Sequence, residues 1–228
     1  MRRRRNARRE RWKRPLATPK DRREAWASLM LSDHGFLRLI YRNRHQVTPQ
    51  LWRSAQPAPA DIAWARRAGI RTVVSLRGDG FGGDLLEREA CAREGLAFQR
   101  IVMWSRGAPP LESLRAAIEL FPAMEKPVLL HCKSGADRAG LGAALFQIIV
   151  EGATVAQARR QLSLRYGHIA QARTGILDAF LDAYAATGEA AGIGFSEWVE
   201  TIYDPAALKE AFVTSRAADT LLTLLRRE

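Results

Sequence analysis

At 228 residues, 47% of them hydrophobic, the chain is long for one small domain and short for two full ones, and it can bury a real core. The formal net charge of +12 is uneven: residues 1–14 hold nine Lys/Arg against one Glu, leaving only +4 for the remainder. No window reaches the roughly 18 apolar residues of a membrane span, no apolar stretch follows the basic arm as a targeting peptide requires, and two cysteines, Cys91 and Cys132, make no disulfide framework.

Residues 1–23 read as a basic arm, expected to be disordered. Such an arm can contact anionic lipid headgroups or, less favoured here, nucleic acid; it can equally be a solvated tail. Residues 24–46 read as a helical extension. In it, EAWASLML (24–31) is helical, and HGFLRLIYRNRH (34–45) is expected to pack on the domain rather than lie at a membrane surface.

Next, VTPQLWRSAQPA (47–58) reads as a strand or hairpin running into a Pro-rich turn. After Asp61 comes a short helix closed by Gly69. TVVSL (72–76) is a buried strand, RGDGFGGD (77–84) a loop, DLLEREACARE (84–94) a helix and LAFQRIVM (96–103) a strand. A loop WSRGAPP leads to a helix over 111–124, and VLLH (128–131) is the next strand. Strands alternating with helices predict an α/β fold: a central, mainly parallel sheet of 4–5 strands flanked by helices. Beyond residue 150 the pattern is helical, roughly over 154–164, 174–187 and 205–227.

Between VLLH and AGLGAALFQIIV lies the seven-residue segment CKSGADR. A short loop feeding a helix N-terminus presents free backbone N–H groups and a favourable dipole to an anion. Gly135 can adopt the backbone angles needed to curl round one. The same groups stabilise a thiolate, so Cys132 is expected to be a nucleophile near neutral pH. Arg138 offers a planar fork for two phosphate oxygens. His131 is placed to order the loop, and Lys133, Ser134, Gly135 and Ala136 to line the anion.

HCKSGADR resembles the His-Cys-x-x-Gly-x-x-Arg signature of the protein tyrosine and dual-specificity phosphatase superfamily. RSAQP (53–57) and VVSLRG (73–78) resemble the early strands of its bacterial and atypical members. The resemblance covers about residues 50–187 and implies a phosphatase domain over 47–188, with a C-terminal helical extension over 189–228. It implies phosphomonoester hydrolysis through a phosphocysteine on Cys132, with no metal and no cofactor. The substrate is a phosphotyrosine protein or a lipid or other small phosphomonoester. The compartment is reducing, hence the cytoplasm, with peripheral contact at the inner membrane surface through residues 1–23 as an option. A catalytically weak phosphate-binding module and a rhodanese-type sulfur transferase are the alternatives, although the rhodanese loop is generally shorter. Oligomeric state is not legible.

Two positions depart from the family. The usual acid loop before the cysteine reads MWSRGAPP and holds no Asp. Asp137 is the expected proton donor, with Asp79 and Asp84 in reserve and Glu112 assigned to a helical turn. Ala139 stands where relatives often carry Ser or Thr. Trp104 and Arg106 are candidates for the mouth of the site, and Arg165, His168 and Arg173 for substrate contact.

Overall fold

The computed structural model describes residues 10–225, with side chains through residue 215. The described residues divide into two compact units, with boundaries at 102/103, 122/123 and 143/144. Each is taken by itself.

The first unit holds the sheet. Its strands are β1 (His45–Thr48), β2 (Leu51–Ser54), β3 (Thr72–Ser75), β4 (Ala97–Arg100) and β5 (Val128–His131), in the order β1-β2-β5-β3-β4. β1 and β2 form an antiparallel hairpin, and the other pairings are parallel. Both central strands, β3 and β5, are buried at every position. That is why they read as unbroken apolar runs rather than alternating ones. The expected mainly parallel sheet flanked by helices is what forms.

The helices of this unit are α1 (Pro19–Ala27), α2 (Gly35–Ile40), α3 (Pro59–Arg67) and α4 (Gly82–Glu94). α3 and α4 pack on one face, where Ile62, Ala65, Ala90 and Cys91 meet Val73 and Leu129. Successive strand residues face opposite ways. Leu130 therefore points to the other face, towards Gly142 of α6 (Asp137–Glu151). A Cβ at Gly142 would lie 2.6 Å from a Leu76 methyl, so glycine spares that side chain a shift.

Order begins earlier than the sequence reading placed it. α1 starts at Pro19, inside the stretch assigned to the disordered arm, because Thr18 and Asp21 form a reciprocal capping box. Trp12 and Leu16 are buried with Ala25, Leu29 and Leu86. Two apolar side chains among many cations suffice to anchor the segment. Residues 1–9 of the expected arm lie outside the described residues. The stretch 28–32 is a π-helical turn, and α2 is a short helix of its own.

The second unit is helical: α5 (Leu111–Ala123), most of α6, α7 (Val155–Ala158), α8 (Ile176–Thr187), α9 (Phe195–Thr201) and α10 (Pro205–Leu225). The helix expected over 154–164 is broken: α7 passes into a 3-10 turn at Arg159–Gln161, and another follows at Leu164–Tyr166. Phe180, Tyr184, Phe195, Trp198 and Tyr203 form an aromatic cluster with centroid separations of 5.1–6.3 Å. Among the described residues no helix is long and apolar enough to cross a membrane.

Candidate active site

β5 is the central strand, and residues 132–136 leave its C-terminal end to enter α6 at Asp137. This is the edge of a parallel sheet at which ligands gather, since strand ends and helix N-termini converge there. The helix begins one residue before Arg138, so Asp137 and Arg138 open its first turn.

The conformation of this loop is held from outside by its carbonyls. The Gln56 amide N–H donates to the carbonyl of Lys133 (3.3 Å), and the Asn43 side-chain amide to that of Ser134 (3.0 Å). Arg53, fully buried, donates to the carbonyls of Gly135 (2.7 Å) and Ala136 (2.9 Å). In a trans peptide the C=O and the following N–H point opposite ways. Tying four successive carbonyls to donors on one side therefore turns the amides of residues 134–137 to the other side. One of these, the Gly135 N–H, donates to the Cys132 Sγ at 3.2 Å. Gly135 has φ +75°, and a Cβ there would lie 2.7 Å from the Ala55 nitrogen. Both the torsion and the close approach require glycine.

Cys132 is 2% exposed. Cys91 is also buried, but on a helix face, where burial and then the Glu87 charge push its thiol up to about 12. The Cys132 sulfur differs in accepting a backbone N–H, that of Gly135.

A polar chain links the residue before the cysteine to the residue after it. His131 Nε2 meets the Glu87 carboxylate at 2.6 Å, both fully buried. The other Glu87 oxygen accepts from Gln56 (2.8 Å), whose Oε1 accepts from Arg77 (2.9 Å). Arg77 grips Asp33 through two bonds of 2.8 Å. Asp33 also accepts from Arg38 (2.9 Å) and lies 3.6 Å from the Lys133 ammonium. Burial pushes the Asp33 carboxyl upward, but Arg77, helped by Arg38 and Lys133, outweighs it and holds the group below its ordinary value. Arg138 reaches the Leu76 carbonyl at 3.5 Å.

Cys132, Gly135 and Arg138 thus share the strand–loop–helix junction with His131, Lys133, Ser134, Ala136 and Asp137. Asp84 and His168 depart from expectation, whereas Asp79 and Glu112 lie where the sequence put them. Asp84 is not on the Gly-rich loop: α4 begins at Gly82, and Asp84 is buried and ion-paired with Arg100. Asp79 is exposed on the loop, and Glu112 is in the first turn of α5. In the second unit His168 is 1% exposed and bound to Asp178 at 2.7 Å, a core pair rather than a substrate contact. Trp104 is 60% exposed, while Arg106 and Arg173 line a cavity of about 320 Å³ with Lys209. Arg165 lies over the Tyr166 ring. Arg53, Asn43 and Gln56 went unrecognised as loop braces. The signal was RSAQP, in which a charge and an amide interrupt a strand leading into the core.

Among the described residues no group of three or more His, Cys, Asp or Glu is placed to hold a metal ion. The family model described as a DSP-PTPase phosphatase fused to NAD+ kinase matches residues 41–175. The dual specificity protein phosphatase TpbA of Pseudomonas aeruginosa is 32% identical over 114 residues, 48% of each chain, so this chain spans about half the length of the curated relatives it matches. The crystal structure of P. aeruginosa TpbA superposes with a TM-score of 0.51 at 22% identity, covering 75% of this chain and 91% of that one. The same protein in complex with phosphotyrosine gives 0.51 at 23%, covering 68% and 90%. At this identity the likeness concerns the fold.

Proposed function

The chain belongs to the DSP-PTPase phosphatase family described as fused to NAD+ kinase, and on that premise we propose that it hydrolyses phosphomonoesters through a phosphocysteine on Cys132. The observation that carries the reading is the tethering of four successive loop carbonyls, which aims the opposite amides at the sulfur and at any anion beside it. In the first step the Cys132 thiolate attacks phosphorus, the S–P bond forms and the P–O bond to the leaving group breaks. Asp137 gives its proton to the departing oxygen. The Arg138 fork and the loop amides hold the equatorial oxygens as their charge develops. Water then attacks phosphorus, giving a proton to the Asp137 carboxylate as the new P–O bond forms; the S–P bond breaks, thiolate and inorganic phosphate are released, and Asp137 is protonated again. No metal or cofactor enters this scheme.

Phosphotyrosine is the first substrate to test, because a structurally similar protein has been crystallised with it. The lipid or small-phosphomonoester alternative is supported by Lys133, which adds a cation beside the cysteine. A working thiolate needs a reducing compartment, which favours the cytoplasm. The proposed catalytic domain spans 47–188.

Phosphate release from phosphotyrosine and phosphoserine peptides, inositol phosphates and anionic phospholipids tests the reading. Cys132→Ser is expected to lower turnover by on the order of 10⁴-fold or more. Asp137→Asn is expected to lower it about 10²-fold, more for alkyl than for aryl leaving groups, because only the poorer leaving group depends fully on the acid. No turnover on any substrate in reducing buffer, or full turnover in Cys132→Ser, would sink the proposal.

A further inference from the structure

Seven of the thirteen exposed large apolar side chains among the described residues fall within residues 26–41. Ile40 is 93% exposed, Leu31 71%, Leu39 58% and Leu37 56%. Phe36 and Tyr41 complete the stretch that was expected to pack on the domain. Its polar residues do, Asn43 at the loop carbonyl of Ser134 among them, but its apolar side chains do not: in α2 the side chain that turns inward is Arg38, bound to Asp33 by two contacts of 2.9 Å. Gly35 is wedged against Leu29, where a Cβ would lie 2.5 Å from its carbonyl oxygen, so the helix is seated by its polar side and its glycine. A soluble surface does not gather apolar groups in this way without a partner.

The charge around the patch selects the partner. Between residues 25 and 60 there is a single carboxylate, Asp33, and it is buried against Arg77 and Arg38. Arg42 and Arg44 follow the patch directly and share the one carboxylate of Asp61, which leaves the pair a net positive charge, and residues 1–14 carry +8. The first nine residues, with six Arg, have too little apolar surface to cover it. A second copy at net +12 would bring like charges together. Apolar and aromatic side chains set among arginines fit the boundary between headgroups and acyl chains of an anionic bilayer.

We infer that residues 26–41 form a docking surface for an anionic lipid bilayer, with the α2 side chains entering the headgroup boundary and the basic residues engaging the anionic headgroups. The surface is not an independent appendage. Asp33, between the π-helical turn and α2, joins it to Lys133 of the phosphate loop and to Arg77. A docked chain therefore carries the Cys132 loop to the bilayer. If the phosphatase reading above holds, on which this consequence alone rests, the natural substrate is a phosphate displayed at the bilayer face.

The experiment is co-sedimentation of the full chain with vesicles of phosphatidylcholine alone and with added phosphatidylglycerol. Binding to the anionic vesicles only is expected. Leu37→Asp combined with Ile40→Asp should weaken it at least about tenfold, whereas Leu164→Asp, at an exposed site in the second unit, should not. Melting curves check the fold of each variant. Hydrogen exchange on the unaltered chain, slowed over 31–41 by anionic vesicles, gives the same answer without mutation. No binding, binding undiminished in the double variant and abolished by salt, or a dimer that the double variant dissolves would each overturn the inference; these would assign the face to nothing, to the arm, or to a second copy. Cys132→Ser should bind vesicles as the unaltered chain does. Binding without turnover would refute the catalytic reading and leave the docking intact; turnover of a soluble aryl phosphate without binding would do the reverse.

Discussion

The largest fully buried side chain of the second unit is Trp198, and that of the first is Arg53. Trp198 lies among Phe180, Tyr184, Phe195 and Tyr203, and its ring N–H donates to Thr187 at 2.8 Å. Its contribution is apolar burial plus aromatic edge contacts, and the surroundings ask for no particular charge. Arg53 buries a cation whose desolvation is costly, and it persists because two loop carbonyls need it. The same unit also buries the Asp33–Arg77 ion pair and the Glu87–His131 contact. The comparison teaches where to look for function: the first unit buries Arg53 to hold the loop that follows β5, and the aromatic unit has its inside filled for stability.

The strongest way to break this contrast is Trp198→Ala. It should cost about 3–5 kcal/mol of stability, read by denaturant unfolding, while KM for a small aryl phosphate in the folded fraction stays put. A large change in KM would show that the aromatic cluster tunes the site. Arg53→Met should cost about 3 kcal/mol, because two buried carbonyls lose their donor. Unlike the tryptophan change, it should also lower kcat, since the loop amides are then no longer held towards the sulfur. A variant that is destabilised but fully active would reduce Arg53 to a structural brace. Asp33→Asn sharpens the comparison least, at about 2 kcal/mol near neutral pH. The folded Asp33 carboxyl is held below its ordinary value of 3.8, so its contribution is complete above that value and is lost as pH falls through the lower folded value. The gap between native chain and variant should therefore be constant near neutrality and close under acid. A gap that widens below pH 4 would contradict the ion-pair assignment.

Much of this was legible in one dimension. TVVS and VLLH announced buried strands because a parallel sheet covered on both faces demands apolar residues at every position. CKSGADR was read as a short loop between a strand and a helix, and a loop at that junction, between β5 and α6, is what forms. The start of α1 was misread because nine cations in fourteen residues mask two apolar anchors, Trp12 and Leu16. His168 resembled a surface ligand for a related reason: its partner Asp178 is ten residues away, across a turn that periodicity does not describe.

What the sequence by itself determined was local: strand, loop and helix in that order, a cysteine, a glycine and an arginine at their junction, and the uneven charge. The tertiary structure decided which way the loop faces. That depends on Arg53, Asn43 and Gln56, about eighty to ninety residues upstream of the carbonyls they bind; the pairing exists only once β2 lies beside β5. It also decided that, among the described residues, the apolar side chains of Leu31, Phe36, Leu37, Leu39, Ile40 and Tyr41 stay exposed, since only packing shows whether an apolar side chain has found a partner.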